Sequence, residues 1–208
     1  MMRPAISVRQ ATAADRADTA IVLAQAFVDD PAMAYLFRAC ARRPAALLRF
    51  FAMIGAADAA TVHWTLALDP EGTPVAAATW RPPGLWRTPL PVLLRLLPRL
   101  LATFGTALPR ALALQGQLEA HHPRVPHWYL QFAGCVPASQ GRGYGGAAIR
   151  AQLARCDLTG IPASLETATP ANLGLYQALG FVIADHFRIK GGPEFWTMWR
   201  EPGSRRQG

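Results

Sequence analysis

The sequence predicts a single α/β domain: a mixed, mostly antiparallel sheet flanked by helices. Three observations lead there. The chain has 208 residues, a length that suits one domain, and no stretch reads as a linker, an internal repeat or a low-complexity block. Strand-like runs alternate with helix-like apolar stripes, and two pairs of strands lie close enough to form antiparallel partners. A glycine-rich turn at residues 141–146 separates the most apolar strand-like run from a helix. The domain is expected over residues 1–201, with residues 202–208 as a disordered tail.

Composition excludes several classes. Hydrophobic residues make up 51% and charged residues 16%, against a usual charged share of about 25%, so intrinsic disorder is excluded for most of the chain. Cys40, Cys135 and Cys156 are odd in number, far apart and not in a CxxC pattern. That argues against a disulfide scaffold or a cysteine zinc site and fits a reducing compartment. The first ten residues lack the apolar core of a signal peptide. Residues 85–105 carry Arg87, Arg95, Arg99, Pro89, Pro91 and Pro98, which argues against a spanning helix of ~20 apolar residues. A cytoplasmic protein is expected, as monomer or homodimer. The net charge is +8, and all basic residues except Lys190 are arginine. A nucleic-acid binder gathers such charge on one face. Here it is scattered, so neither nucleic acid nor a membrane is an expected partner. The balance suits polyanionic small ligands.

The elements follow in chain order. Residues 6–9 alternate like a strand. Thr12 and Asp15 have capping-box spacing. Ala17, Ala20, Ile21, Ala24, Phe27 and Val28 share a helical face that ends at Asp29-Asp30-Pro31. A short helical turn is expected over 32–37. Pro44 suits the first turn of a helix whose stripe is Leu47, Phe50, Phe51 and Ile54. Residues 62–69 and 75–80 form a hairpin around Pro70-Glu71-Gly72-Thr73. Residues 91–119 carry a leucine stripe with Arg95 and Arg99 opposite, and Pro98 should kink or break the helix. That stripe reads as a packed helix with a solvated arginine face rather than a membrane-surface helix. His121 and His122 lie in a loop with His127 as the sole further candidate ligand, so no metal is expected. Residues 127–136 read as a central strand in which Gly134 marks a bulge or a close backbone approach. Pro137 ends its pairing. A helix over 147–158, closed by Gly160, a strand over 162–168 and a helix from Pro170 to Gly180 come next. Strands over 181–189 and 195–200 form a final antiparallel pair.

A glycine turn between strand and helix lets backbone N–H groups approach a ligand, and the helix N-terminus adds free donors and a positive dipole end. Phosphate or pyrophosphate is the natural partner. Gly141-x-Gly143-x-x-Gly146, with Glu166 further on, matches a dinucleotide fingerprint literally. That fold opens with the motif, whereas here a single strand–helix unit follows, which is too little chain for its sheet. A P-loop is excluded because Gly-Lys-Ser/Thr does not occur.

Taken as Gln140-x-x-Gly143-x-Gly145 after Val136-Pro137, the turn resembles that of the GNAT-type N-acetyltransferases. Asn172-x-x-x-Tyr176-x-x-x-Gly180-Phe181 resembles the second half of their signature, and its i, i+4 spacing puts Asn172 and Tyr176 on one helical face. Residues 126–200 are most similar to puromycin N-acetyltransferase-like proteins, residues 26–37 more weakly so. The resemblance implies a single-domain GNAT-like fold in which strand 127–136 and the strand bearing Glu166 run parallel and splay into a cleft. It implies acetyl-CoA as donor, a small-molecule amine as acceptor and direct attack on the thioester. Gly134, Cys135, Val136, Gln140, Gly141, Arg142, Gly143, Tyr144, Gly145, Gly146, Asn172 and Tyr176 would hold the donor. Backbone N–H groups from Ala133 to Val136 would polarise its carbonyl, and Tyr176 would protonate the leaving thiolate. Relatives place a glutamate on the central strand, but residues 127–136 hold no carboxylate. That leaves Glu166, acting through water, and His127 as candidate bases; histidine's pKa near 6.5 suits the task. Phe27, Asp30, Tyr35 and Trp80, with Trp86 and Trp128, are candidates for the acceptor site, although Asp30 equally suits capping of the next turn. Two other readings remain open: a non-catalytic acyl-CoA binding or sensing module, and acetylation of a protein amine.

Overall fold

The computed structural model describes residues 6–57 and 62–203. Strands β1 (Ser7–Gln10), β2 (His63–Leu68), β3 (Pro74–Arg81), β4 (Trp128–Cys135), β5 (Ala163–Thr167), β6 (Val182–Arg188) and β7 (Glu194–Arg200) form one seven-stranded sheet in the order β1-β2-β3-β4-β5-β7-β6. Every neighbouring pair is antiparallel except β4–β5. Helices α1 (Arg16–Ala26), α2 (Pro31–Leu36), α3 (Arg43–Ala57), α4 (Leu90–Phe104) and α5 (Leu108–His121) cover one face. Helices α6 (Tyr144–Thr159) and α7 (Leu173–Ala178) cover the other. Strand alternation feeds both layers: Leu66 and Ala77 face the first core, Ala67, Ala76 and Ala78 the second.

The amino terminus shows how local chemistry sets an element. The Asp15 carboxylate accepts from the Thr12 N–H at 2.7 Å and the Thr12 hydroxyl at 2.8 Å, while Arg9 of β1 grips it with both terminal nitrogens at 2.8 and 2.6 Å. These contacts hold the Asp15 carboxyl well below its usual range, the Arg9 hydrogen bonds contributing most. At the other end, Arg200 of β7 closes a bidentate pair on Asp157 of α6 at 2.7 and 3.0 Å. The N–H of Gly203 donates to the same carboxylate at 2.7 Å. Pro202 and Gly203 are thus a turn tied to the domain rather than part of a loose tail, and residues 204–208 lie outside the described residues.

Several expectations shift. Pro98 does not break its helix. Proline lacks an N–H, yet α4 runs through it, and the break falls at Gly105, whose φ of 48° only glycine adopts readily. The stretch Leu90–His121 is long and apolar enough to cross a membrane by length and composition alone. Gly105 divides it into helices of 15 and 14 residues, each shorter than the ~20 residues a span needs. The glycine turn is shorter than read, because α6 starts at Tyr144, with Gly143 at φ 93° immediately before it.

Gly134 is a close approach and not a bulge. A Cβ there would stand 2.6 Å from Ala26 Cβ and 3.3 Å from the Phe27 ring, so its absence lets the end of α1 lie on β4. The bulge sits at Gln131: Thr79 faces Phe132 while Trp80 faces Leu130. The Thr79 hydroxyl repairs the interrupted ladder by accepting from the Phe132 N–H at 3.1 Å. We expect Gly134→Ala to cost about 1–3 kcal/mol by overpacking, read as a lower thermal midpoint. Gly116→Ala, in α5 with open space around it, should leave the midpoint unchanged or raise it.

Candidate active site

Strands β4 and β5 pair in parallel over three positions only, Trp128–Ala163, Tyr129–Ser164 and Leu130–Leu165. Beyond Leu130 the bulge bends β4 away, and the two strands part. The Val136 N–H donates to Val75 O of β3 at 2.9 Å. Alternation along an antiparallel ladder therefore turns the N–H groups of Ala133 and Cys135 toward the gap. Val136, expected among the amides facing a donor, is corrected by the same bond: its N–H is spent in the sheet.

Two cavities open on this gap. The first is a groove between the end of β4 and α6. Of the residues expected to hold a donor, Gly134, Cys135, Gln140, Gly141, Gly143, Tyr144, Gly145, Gly146, Asn172 and Tyr176 line it; Val136 and Arg142 do not. Gly141 at φ 72° and Gly143 at φ 93° give the turn its left-handed path. The first hydrogen bond into α6 runs from the Ala147 N–H to Gly143 O, so the N–H groups of Tyr144, Gly145 and Gly146 have no partner within the helix. Gln140 Nε2 donates to Cys135 O at 3.2 Å and pins the turn to the strand end. Burial pushes the Cys135 thiol up, against the opposing pull of Arg142 and the Gly145 amide, and keeps it protonated. The chemistry of this groove suits a diphosphate: amides outside the helix ladder at a helix start, and glycines at 141, 143, 145 and 146 that carry no side chain to block approach.

The second cavity lies on the α1–α5 side of the sheet. Its walls include Phe27, Phe50, Phe104 and Phe132, and its polar groups include Asp30, Tyr129, Gln131 and Glu166. Ala133, Asn172 and Tyr176 line both cavities and mark their junction. Tyr176 is buried, and that burial, with the nearby charge of Asp30, raises its phenol to about 12. It is therefore neutral and able to donate at any ordinary pH.

The expected acceptor residues separate. Phe27 lines the second cavity. Asp30 does too, while also capping α2: Oδ1 accepts from Ala32 N at 3.0 Å and Met33 N at 3.1 Å, and Oδ2 accepts from the Thr169 hydroxyl at 3.0 Å. Burial raises its pKa against those bonds. Trp80 is corrected: it is fully buried with Trp128 in the core beneath α6, because alternation along β3 turns it away from the cavity. Tyr35 packs against the β6–β7 turn, its Cε2 3.1 Å from where a Gly192 Cβ would stand, and is not part of the cavity wall.

Glu166 and His127, weighed as alternative bases, belong to one buried chain. Glu166 Oε1 meets His122 Nδ1 at 3.0 Å, His122 Nε2 meets His127 Nε2 at 3.1 Å, and His127 Nδ1 meets Val125 O at 2.7 Å. A carbonyl can only accept, so His127 Nδ1 carries a hydrogen. Burial lowers the His127 pKa and favours the singly protonated ring, whose Nε2 accepts from His122 Nε2. His122 Nδ1 and Glu166 Oε1 then share one proton, as imidazolium with carboxylate or as imidazole with carboxyl. His127 sits behind His122, away from the second cavity, and cannot itself reach an acceptor there. The neighbouring His121 turns the other way, to Asp185 at 2.6 Å. Among the described residues no group of three or more His, Cys, Asp or Glu could hold a metal ion.

Sequence reasoning missed His122, Tyr129 and Gln131. His122 packs between the Trp86 ring, stacked at 3.9 Å, and the edge of Tyr129. The Tyr129 hydroxyl lies beside the Glu166 carboxylate; burial first, then that charge, push its pKa well above the usual value. Gln131 Oε1 accepts from Arg81 Nε at 2.9 Å. The His121-His122 pair was the available signal, but Glu166 lies 44 residues away and only the fold joins them.

No protein-family model matches the chain. Solved structures do. One from Corynebacterium glutamicum, described as histone acetyltransferase HPA2 and related acetyltransferase, is 27% identical, with 97% of this chain and 98% of that one covered at a TM-score of 0.76. The polyamine N-acetyltransferase of Drosophila melanogaster, which forms N-acetylagmatine, is 17% identical over 95% of this chain and 100% of its own, TM-score 0.62. A GNAT-superfamily phosphinothricin acetyltransferase from Sinorhizobium meliloti, solved with AcCoA, is 17% identical over 98% and 91%, TM-score 0.53. The sheet order and helix placement described above are the GNAT fold.

Gly143→Ala puts a Cβ on a left-handed residue and should weaken acetyl-CoA binding about tenfold through that strain, measured by calorimetry. Gly174→Ala, with open space around it, should leave binding as it is.

Proposed function

We propose that the chain, an acyltransferase with the GNAT fold, moves an acetyl group from acetyl-CoA to the primary amine of an apolar small molecule. One observation carries the reading: a glycine-lined groove suited to a diphosphate and a carboxylate-bearing apolar cavity meet at a protonated tyrosine. Acetyl-CoA supplies a thioester carbonyl open to attack. The amides of α6 and its turn hold the diphosphate, and Asn172 positions the arm of the donor at the junction. The N–H groups of Ala133 and Cys135 face the gap, where such donors stabilise the negative charge growing on a carbonyl oxygen, each by about 2.7–4 kcal/mol.

Amide formation needs a neutral amine. Glu166 Oε2 is buried and accepts no hydrogen bond of normal geometry, with the Tyr129 hydroxyl beside the carboxylate. With Oε1 occupied by His122, Oε2 is the atom that takes the ammonium proton, directly or through one water. His122 and His127 are positioning residues, since they act on the amine's proton only through the carboxylate they orient. Tyr176 gives its hydroxyl proton to the departing thiolate. Direct attack is favoured over a covalent acetyl-cysteine because burial holds the Cys135 thiol protonated. The likeness of residues 126–200 to puromycin N-acetyltransferase-like proteins supports an acceptor with a ring or acyl part.

Thiol release from acetyl-CoA against a panel of amines tests the activity; no release with any amine would refute it. Tyr176→Phe should lower kcat about tenfold or more while acetyl-CoA affinity stays within error, and unchanged turnover would remove its role. Because its phenol stays protonated to about 12, wild-type kcat should show no alkaline loss below about pH 10. Glu166→Gln should lower kcat/KM about 10²–10⁴-fold at neutral pH. That deficit should shrink as pH rises and the amine arrives already deprotonated, whereas a constant deficit would point to a merely structural glutamate.

A further inference from the structure

A third cavity lies beneath the helical hairpin formed by α4 and α5. Met53 and Ile54 of α3, Leu96 and Leu100 of α4, and Leu108 of α5 line it. It backs directly on the cavity that holds Glu166: Phe50, Phe104, Ala111 and Phe132 line both, and Tyr129 and Gln131 stand at the boundary. The polar groups in its wall are engaged with one another. Arg81 donates to Gln131, Leu85 O and Thr88; Glu119 accepts from Gln115 at 3.0 Å and pairs with Arg87 at 3.3 Å. Most of the remaining wall is hydrocarbon. At the rim, Leu93 and Leu112 are 40% and 64% exposed.

We propose that this chamber holds the hydrocarbon tail of the acceptor, so that the substrate class is a primary amine borne on a long or bulky apolar chain. The inference rests on the amine-acetylation reading above. The reacting end needs carboxylates, and Asp30 and Glu166 lie at that end. The chamber beyond Phe132 contributes leucine, isoleucine, methionine and aromatic surface. A compact amine such as a short diamine would fill only the second cavity, beside Glu166, and leave the third as unused apolar surface. An amine with a tail passes Tyr129 and Gln131 and buries its methylenes against α3 and the hairpin. The exposed leucine rim is the surface such a tail crosses as it enters. Strand alternation assists: Tyr129 and Gln131 point to this face of the sheet, and the bulge at Gln131 turns the next stretch of β4 toward the donor.

The test uses the full chain, acetyl-CoA and primary n-alkylamines from butylamine to dodecylamine, each below its micelle concentration. If the tail is buried, kcat/KM rises by up to about fourfold per added methylene and the gain lies in KM. Leu100→Trp fills the chamber from within, and Leu112→Arg, at an exposed position that tolerates change, sets a charge at its rim. Either should collapse the dodecylamine-to-butylamine ratio of kcat/KM by at least about tenfold, the worth of a few methylenes. Equal turnover of short and long amines, or a ratio unmoved by both variants, would overturn the tail chamber while leaving acetyl transfer intact. If no amine is acetylated, the acetylation reading fails and calorimetry with dodecylamine alone decides the chamber. Binding weakened by Leu112→Arg supports it, and binding that is absent or indifferent to the variant overturns it.

Discussion

The parting of β4 from β5 after Leu130 is the constraint on which the rest of the molecule depends. A fully paired central sheet would spend its amides on its own ladder and leave no seam for a ligand. Here pairing stops after three positions because an extra residue, Gln131, bends β4. The bend is sustained from both sides. The Thr79 hydroxyl satisfies the amide that the bulge orphans, and Gly134 lets α1 press on the strand where any Cβ would hold it off. The seam then separates a polar groove from an apolar cavity, with Tyr176, Asn172 and Ala133 where they meet.

Burial does the electrostatic work in this site. It keeps the Tyr176 phenol and the Cys135 thiol protonated, so one can donate and the other does not compete as a nucleophile. It also raises Asp30, whose two oxygens are held by α2 amides and by Thr169. That Thr169 bond ties the loop before α2 to the loop before α7, so the walls of the cavity and the tyrosine helix are set relative to one another by a single carboxylate. The Glu166–His122–His127 chain solves a different problem. A carboxylate facing an apolar cavity needs a compensating partner, and the shared proton with His122 supplies one, with the Tyr129 hydroxyl beside the same carboxylate.

The legible parts of the sequence were those with local causes. Alternation, capping chemistry and turn residues located the strands, and Asn172 with Tyr176 needed only helical spacing. The glycine turn was readable because left-handed residues and free amides are properties of a short segment. What was hidden depended on long-range packing. Trp80 reads as a cavity aromatic until the pleat of β3 turns it into the opposite core. Pro98 reads as a break, but the chain reverses only at Gly105, where φ is positive. His127 and Glu166 look like alternatives in the sequence, yet His122 joins them, bonded to His127 five residues on and to Glu166 44 residues on. Gly134 reads as either a bulge or a close approach, and only the position of Ala26 decides between them.

The central claim is that the seam aims a thioester at Tyr176. A crystal structure of the chain with coenzyme A measures it most directly. The account predicts the diphosphate on the amides of Gly143 to Gly146 and the coenzyme sulfur within hydrogen-bonding reach of the Tyr176 hydroxyl, about 3.5–4 Å for a sulfur acceptor. A coenzyme bound elsewhere, or a sulfur far from that phenol with the diphosphate in place, would contradict it.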